Sequence, residues 1–150
     1  MILFGRFFQA RDDYQNLEST EVSFAAVPNN MHRRLTMQLS KQYTQQKGLA
    51  DDISEGKISL PLIHALSAKS IQRGRLLSIL QQRKSGVTLS DEVLKMAVDE
   101  IRATGGLDYA RKIALSLQEA VDTSLSVFET RMSAKNYILR LVQKRLELDI

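Results

Sequence analysis

Four polar side chains near the start of the chain could share one face of a helix. Gln9, Asp12, Asp13 and Asn16 stand at i, i+3, i+4 and i+7, which forms one stripe along a helix. Two interpretations are open. The plainer one is a solvated surface, since two exposed carboxylates about 4 Å apart repel each other by only about 1 kcal/mol in water. The other is a magnesium platform, because oxygen ligands one helical turn apart can hold a Mg²⁺ ion that also binds phosphate oxygens of a substrate.

The element that must carry this stripe is predicted to be a helix over residues 2–17. Its apolar residues form a second stripe, made of Phe7, Ala10, Tyr14 and Leu17. Apolar residues recur at spacings of three and four through the chain, and only two prolines and seven glycines interrupt them. The sequence therefore predicts an all-α fold of six helices. The later five begin near Ser59, cover residues 70–84, run from Ser90 to the glycine pair at 105 and 106, and cover residues 108–130 and 134–146.

Composition excludes several other classes of protein. The 150 residues contain no cysteine, so disulfide frameworks and thiolate metal sites are ruled out. No apolar run approaches the roughly 20 residues that a membrane span needs. The net charge of +4 comes from basic residues that are spread along the chain beside acidic ones, which argues against nucleic-acid binding. We expect one globular domain in the cytoplasm, with no nucleic-acid partner and no membrane span.

One stretch does not fit the helical pattern. Residues 21–41 contain Pro28, two asparagines and two arginines without a convincing period, which predicts a surface loop. Its length exceeds the roughly 12–15 residues expected of an unstructured connection in a compact domain, so it is unusual for a loop inside one domain.

Three segments of the sequence resemble one enzyme family. Residues 5–17 read GRFFQARDDYQNL and resemble the second aspartate-rich region of the trans-polyprenyl diphosphate synthases. Residues 47–66 read KGLADDISEGKISLPLIHAL and resemble the segment that follows that region. Residues 136–141 read NYILRL and resemble fungal members, both geranylgeranyl diphosphate synthases and the prenyltransferase halves of chimeric terpene synthases. The resemblance spans the chain except residues 21–41 and implies the C-terminal part of the isoprenoid synthase helical bundle.

The resemblance implies a reaction as well as a fold. In this family an allylic diphosphate, held by Mg²⁺ ions between two acidic helices, loses its diphosphate, and the resulting carbocation is captured by isopentenyl diphosphate. The barrier is charge separation, so the protein must neutralise diphosphate oxygens and exclude water. Here Asp12 would be the direct metal ligand, with Asp13 and Asn16 acting directly or through metal-bound water.

The remaining site residues are also carried over from the family. Gln9 and Asn16 would contact the allylic diphosphate, with Gln9 orienting it, and Lys47 and Lys57 would bind it as point charges. Asp52 would orient Lys47 or a metal-bound water. Without the resemblance, a lysine beside a glycine is ordinarily only a helix end, and Lys57 would be plain surface.

The chain departs from the family in what it lacks. The family domain is roughly twice as long, and its first D-D-x-x-D helix and its isopentenyl diphosphate site have no counterpart in this sequence. Half a site leaves the metal ions short of ligands, and losing several kcal/mol of transition-state stabilisation lowers the rate by orders of magnitude. We therefore expect the isolated chain to be inactive or nearly so. Product chain length cannot be deduced from these residues.

Residues 21–41 are the second departure, because the family shows only a short turn here. One hypothesis is a retained intron, since the common intron-start hexamer GTAAGT translates in frame as Val-Ser, which stands here as Val22-Ser23. A spliced transcript that still encodes residues 21–41 would refute it, and the alternative is a real loop beside the mouth of the site.

Other interpretations of function stay open. The chain could be a non-catalytic remnant or subunit that pairs with an intact synthase, or it could form a homodimer. It could instead be the prenyltransferase tail of a chimeric terpene synthase. A basic helical nucleic-acid module comes last and would predict strongly salt-dependent binding.

Overall fold

The structure is a computed structural model and describes residues 2–24 and 50–148. These residues form seven helices and no strand, which confirms the predicted all-α fold and is consistent with the isoprenoid synthase bundle. The helices are α1 (Ile2–Phe24), α2 (Asp51–Glu55), α3 (Leu60–Ser67), α4 (Ile71–Lys84), α5 (Asp91–Ala103), α6 (Gly106–Met132) and α7 (Tyr137–Leu146). The longest helix, α6, packs against α1, α3, α5 and α7. The core therefore lies around α6.

Helix α1 is longer than the sequence predicted. It continues past Leu17 to Phe24, since neither glycine nor proline occurs between Gly5 and Pro28 to end it. The prediction of a surface loop beginning at Glu21 is therefore wrong for residues 21–24, and residues 25–41 lie outside the described part of the chain. The predicted apolar stripe is confirmed, because its four members are buried: Phe7, Ala10, Tyr14 and Leu17.

The start of α3 shows a further difference from the prediction. The helix begins directly after Ser59 and carries Pro61 in its first turn, as the sequence predicted. Ser59 occupies the N-cap position, but its hydroxyl makes no capping hydrogen bond. Helix α2 was not predicted; its C-cap is Gly56, four residues before Leu60.

Helices α4 and α5 begin and end close to their predicted bounds, and a serine stands at the N-cap of each. The Ser70 hydroxyl caps α4 by accepting from the Arg73 N–H at 3.4 Å. Ser90 makes no such bond to the backbone of α5. Its hydroxyl donates instead to the carboxylate of Glu92, and that bond, together with one from the backbone N–H of Glu92 itself, lowers the pKa of this carboxyl.

None of the helices within residues 2–24 and 50–148 is both long enough and apolar enough to cross a lipid bilayer.

Gly106 begins α6 and brings it close to α3. A Cβ atom at this position would lie 2.7 Å from the carbonyl oxygen of Pro61 and 2.9 Å from Cγ2 of Ile101. The sequence predicted that Gly106 ends α5, but its role is this close approach between helices. Because the nearest obstacle is backbone, Gly106→Ala must push α3 and α6 apart.

We expect Gly106→Ala to lower the free energy of unfolding by about 1–3 kcal/mol, as overpacking of a core does. The matched control is Gly74→Ala within α4, where an added Cβ meets nothing within 4 Å. That substitution should raise the free energy of unfolding by about 0.5–1 kcal/mol, because alanine has the higher helix propensity. Urea unfolding of the two variants measures both effects, and equal shifts would contradict the close approach.

Candidate functional site

Asp13 lies where α1 meets the start of α3. Its Oδ2 accepts a hydrogen bond from the backbone N–H of Leu60 at 2.8 Å, and its Oδ1 accepts one from Nε2 of Gln9 at 2.6 Å. The residue is only 8% exposed. Asp13 thus supplies the cap that the Ser59 hydroxyl does not, and its negative charge suits the positive end of the α3 dipole.

The four polar residues of the α1 stripe differ in exposure. Asp13 and Asn16 are buried, Asp12 is half-buried and Gln9 is exposed. The solvated-surface interpretation is therefore wrong for Asp13 and Asn16. Asp12 is the carboxylate of the pair that retains access to solvent, whereas Asp13 is turned toward α3.

Lys57 follows directly on the end of α2. Its Nζ lies 2.5 Å from Oε2 of Glu55 and 3.7 Å from Oδ1 of Asp52, and its side chain is 62% exposed. The hydrogen bond to Glu55 raises the pKa of the Lys57 ammonium, which therefore stays charged near neutral pH. Asp52 was predicted to orient Lys47, which lies outside the described residues; within them its carboxylate approaches Lys57.

A hydrogen bond from Leu60 to Asp13 joins the acidic helix to the lysine-bearing turn. The Leu60 N–H that Asp13 holds comes three residues after Lys57, so the α-carbons of Lys57 and Leu60 are at most about 10 Å apart. Asp13 therefore fixes the end of the segment that carries Lys57 beside the face that carries Asp12. The structure thus connects α1, through Asp13, to the segment that carries Lys57, which is over forty residues away in the sequence.

The sequence did not single out Arg83 as part of this region. The Nε of Arg83, in the last turn of α4, donates to the carbonyl oxygen of Ser54 at 2.7 Å. Local patterns cannot show a contact between residues 29 positions apart. The sequence feature that could have indicated a tight turn here is Gly56. It follows the last residue of α2 and has φ of 73°.

The donor set suits magnesium as a partial set of ligands. Asp12, Asp13 and Asn16 offer two carboxylates and an amide oxygen, which are ligands that Mg²⁺ prefers. Both oxygens of Asp13 already accept hydrogen bonds from the protein. Within the described ranges, no group of three or more His, Cys, Asp or Glu side chains could hold a metal ion. These residues therefore fit an ion that takes most of its ligands from water and phosphate oxygens.

Comparison with known proteins matches this region to one family. The family model of the polyprenyl synthetases matches residues 38–98, which include Lys57 and Asp52 but not the stripe on α1. The bifunctional sesterterpene synthase astC of Talaromyces wortmannii is 39% identical over 97% of this chain and 16% of its own length. Macrophomene synthase of Macrophomina phaseolina is 35% identical over 96% of this chain and 18% of its own length. Geranylgeranyl pyrophosphate synthase 3 of Zymoseptoria tritici is 33% identical over 96% of this chain and 34% of its own length.

These alignments include α1, since they run over 96–97% of the chain. They also show that the chain spans only a sixth to a third of the length of these curated relatives. Similarity therefore covers the described site, while most of each relative has no counterpart in this sequence.

Proposed function

The chain belongs to the polyprenyl synthetase family, and from this premise we propose that it forms the diphosphate-binding part of a magnesium-dependent isoprenyl-transfer site. The whole site would condense isopentenyl diphosphate with an allylic diphosphate, as a geranylgeranyl diphosphate synthase does. The observation that carries the proposal is the hydrogen bond between Asp13 and Leu60, which holds the acidic face of α1 beside the turn that bears Lys57. One side of this junction suits a divalent cation and the other suits the diphosphate anion.

The residues divide the work as follows. Asp12 binds the metal ion directly, and Asn16 assists it directly or through a metal-bound water. Bound Mg²⁺ supplies positive charge to the diphosphate, which must leave with its electron pair. Lys57 and Lys47 neutralise the remaining diphosphate charge, and Gln9 orients the substrate.

Two expected roles change in this proposal. Asp13 reaches the metal ion through water at most, because both of its oxygens accept hydrogen bonds from Leu60 and Gln9. Asp52 guides Lys57, whose ammonium it approaches at 3.7 Å. The acidic pair of α1 thus serves the site with one residue that binds the cation and one that holds the scaffold.

The role proposed for these residues is binding. The ligands that complete the metal site in the family come from a further acidic helix, so the chain would bind diphosphate and would not turn it over alone. Two settings would complete it: pairing with an intact synthase, or a place as the prenyltransferase tail of a chimeric terpene synthase. The second is favoured because the relative at 39% identity is named a bifunctional sesterterpene synthase. A cyclase-encoding region upstream in the same transcript would establish it.

Calorimetry with inorganic pyrophosphate tests the proposed binding. We expect uptake in the presence of Mg²⁺ and much weaker uptake without it, and Asp12→Ala and Lys57→Ala should each raise the dissociation constant about tenfold, the loss expected of one charge-assisted contact. Asp108→Ala on α6 and Lys84→Ala on α4 remove the same charges from exposed sites and should have no effect.

Two results would overturn the proposal. One is identical pyrophosphate uptake with and without Mg²⁺. The other is an unchanged dissociation constant in both Asp12→Ala and Lys57→Ala. Incubation of the chain with isopentenyl diphosphate and each allylic diphosphate, scored by product mass, adds a separate check, because any elongated product would contradict a role limited to binding.

A further inference from the structure

Arg83 connects the end of α4 to the turn between α2 and α3. Its Nε donates to the carbonyl oxygen of Ser54 at 2.7 Å, near the end of α2. A charged donor to a buried or partly buried carbonyl makes a stronger hydrogen bond than a neutral one. The turn is therefore held from α4 by a side chain that is not a neighbour in sequence.

The same guanidinium lies close to Gly56. A Cβ at Gly56 would stand 2.5 Å from Cζ and 2.9 Å from Nε of Arg83, closer than side chains can approach. Gly56 also has φ of 73°, a conformation that other residues rarely adopt. Backbone conformation thus calls for glycine immediately before Lys57, and a side chain there would also displace the end of Arg83.

The turn from Ser54 to Leu60 is consequently held at both ends. Arg83 binds the carbonyl of Ser54 and Asp13 binds the N–H of Leu60. Lys57 lies between these two anchors with a side chain that is 62% exposed. Its ion pair with Glu55 is exposed as well, and such pairs fix a long side chain only weakly. The position of the backbone therefore determines where the Lys57 ammonium can reach.

We propose that Arg83 is a positioning residue for Lys57 and sets the reach of its ammonium toward the diphosphate through Ser54 and Gly56. The inference rests on the proposed function for the role of Lys57, while the contact between Arg83 and the turn stands independently of it. Lysine should not fully replace Arg83, because the guanidinium donates to Ser54 through Nε while its Cζ and terminal nitrogen lie beside Gly56.

The test is a double-mutant cycle on magnesium pyrophosphate binding, measured by calorimetry. We expect Arg83→Gln and Arg83→Lys to raise the dissociation constant about five- to tenfold in the otherwise unchanged chain. Both should have almost no further effect when Lys57 is already alanine, because residues that act as a unit are not additive. The control is Arg73→Gln, which removes the same charge from an exposed position on α4. Equal effects of Arg83→Gln with and without Lys57 would overturn the proposal, since a general loss of stability acts equally in both backgrounds.

Hydrogen exchange separates this inference from the proposed function. The amides of Gly56 and Lys57 donate to the carbonyls of Ile53 and Asp52 at 3.0 and 2.7 Å. Arg83→Gln should make both amides exchange faster while the rest of the chain keeps its protection, and Arg73→Gln should not. If the unchanged chain takes up no magnesium pyrophosphate, the proposed function fails, and exchange alone decides whether Arg83 holds the turn. Unchanged exchange at both amides would overturn the positioning role.

Discussion

Asp13→Ala is expected to lower the free energy of unfolding by about 2–3 kcal/mol, the range for losing a charged hydrogen-bonding partner and leaving a buried donor unsatisfied. The carboxylate accepts from Leu60 across 47 residues and from Gln9 within α1. Ser59 occupies the N-cap of α3 without making the capping bond, so no local side chain takes over the Leu60 N–H. Urea unfolding followed by circular dichroism measures the change.

Asp13→Asn is the matched control for that prediction. Asparagine keeps an oxygen for the Leu60 N–H, and the Gln9 amide can turn to present its oxygen to the new NH₂ group. We expect Asp13→Asn to retain most of the stability that Asp13→Ala loses. If both variants lose the same amount, the charge rather than the hydrogen bond to Leu60 is what stabilises the junction, and the anchoring role assigned to Asp13 is wrong.

Binding of magnesium pyrophosphate by Asp13→Asn distinguishes a structural role of Asp13 from a role in binding the metal ion. If Asp13 contacts the metal ion through water at most, Asp13→Asn should leave the dissociation constant for magnesium pyrophosphate almost unchanged. Asp12→Ala should raise it. Two adjacent carboxylates in one motif would then differ in role because one of them is turned into the bundle and the other keeps access to solvent. A motif alone cannot make that distinction.

Local patterns predicted much of the helical framework. The apolar stripe of α1 is buried as its spacing of three and four predicted, and the starts of α3 and α4 follow the serines that the sequence indicated. These features depend on backbone geometry and on side chains a few residues apart. The apolar period of α1 is lost after Leu17, which predicts an end there, but the helix continues to Phe24 because no breaking residue follows until Pro28.

Long-range contacts explain what local patterns could not predict. In α4 the spacing predicts that Ile71, Leu76, Leu77 and Leu80 face the core. Leu76 is buried and Leu80 packs against the core, but Ile71 and Leu77 are 74% and 39% exposed, because the packing of α4 against α5 decides which part of an apolar helix is covered. The Asp13 and Arg83 contacts reach donors and acceptors on other helices, so no spacing rule reveals them. The sequence therefore predicted candidate site residues but not which of them hold the scaffold together.

Helix α7 is attached to α6 by polar contacts between residues that are also distant in the sequence. Arg140 binds Oδ1 of Asp122 at 2.6 Å, Oε2 of Glu129 at 2.8 Å and Oγ of Ser126 at 3.0 Å, all on one face of α6. Gln143 is buried on the same side, whereas the apolar residues Tyr137, Ile138 and Leu141 are 77%, 76% and 60% exposed. Helix α7 thus faces the bundle with its polar side, and Arg140 makes most of the hydrogen bonds that hold it there.

Arg140→Ala is accordingly expected to release α7 from α6 while the rest of the bundle stays folded. Glu129 and Asp122 would lose their cation together, so the amides of residues 139–146 should exchange about tenfold faster or more, and those of α4 should not change. Arg145→Ala, an exposed arginine on the same helix, is the control and should leave exchange unaltered. Equal acceleration in both variants would mean that apolar contacts hold α7 instead.

Acid should reproduce that release in the unchanged chain. Hydrogen bonds from Arg140 lower the pKa of Glu129, and those from Gln143 and Arg140 lower the pKa of Asp122, from ordinary values of 4.5 and 3.8. Because the folded values lie below the unfolded ones, this stabilisation is complete above about pH 5 and is lost as the pH falls through the lowered values. Protection of α7 should therefore decline as the pH falls below these ordinary values in the unchanged chain. Arg140→Ala should show little such decline, because the carboxylates no longer have an ion pair to lose, and an identical pH profile in the two chains would refute the attachment through Arg140.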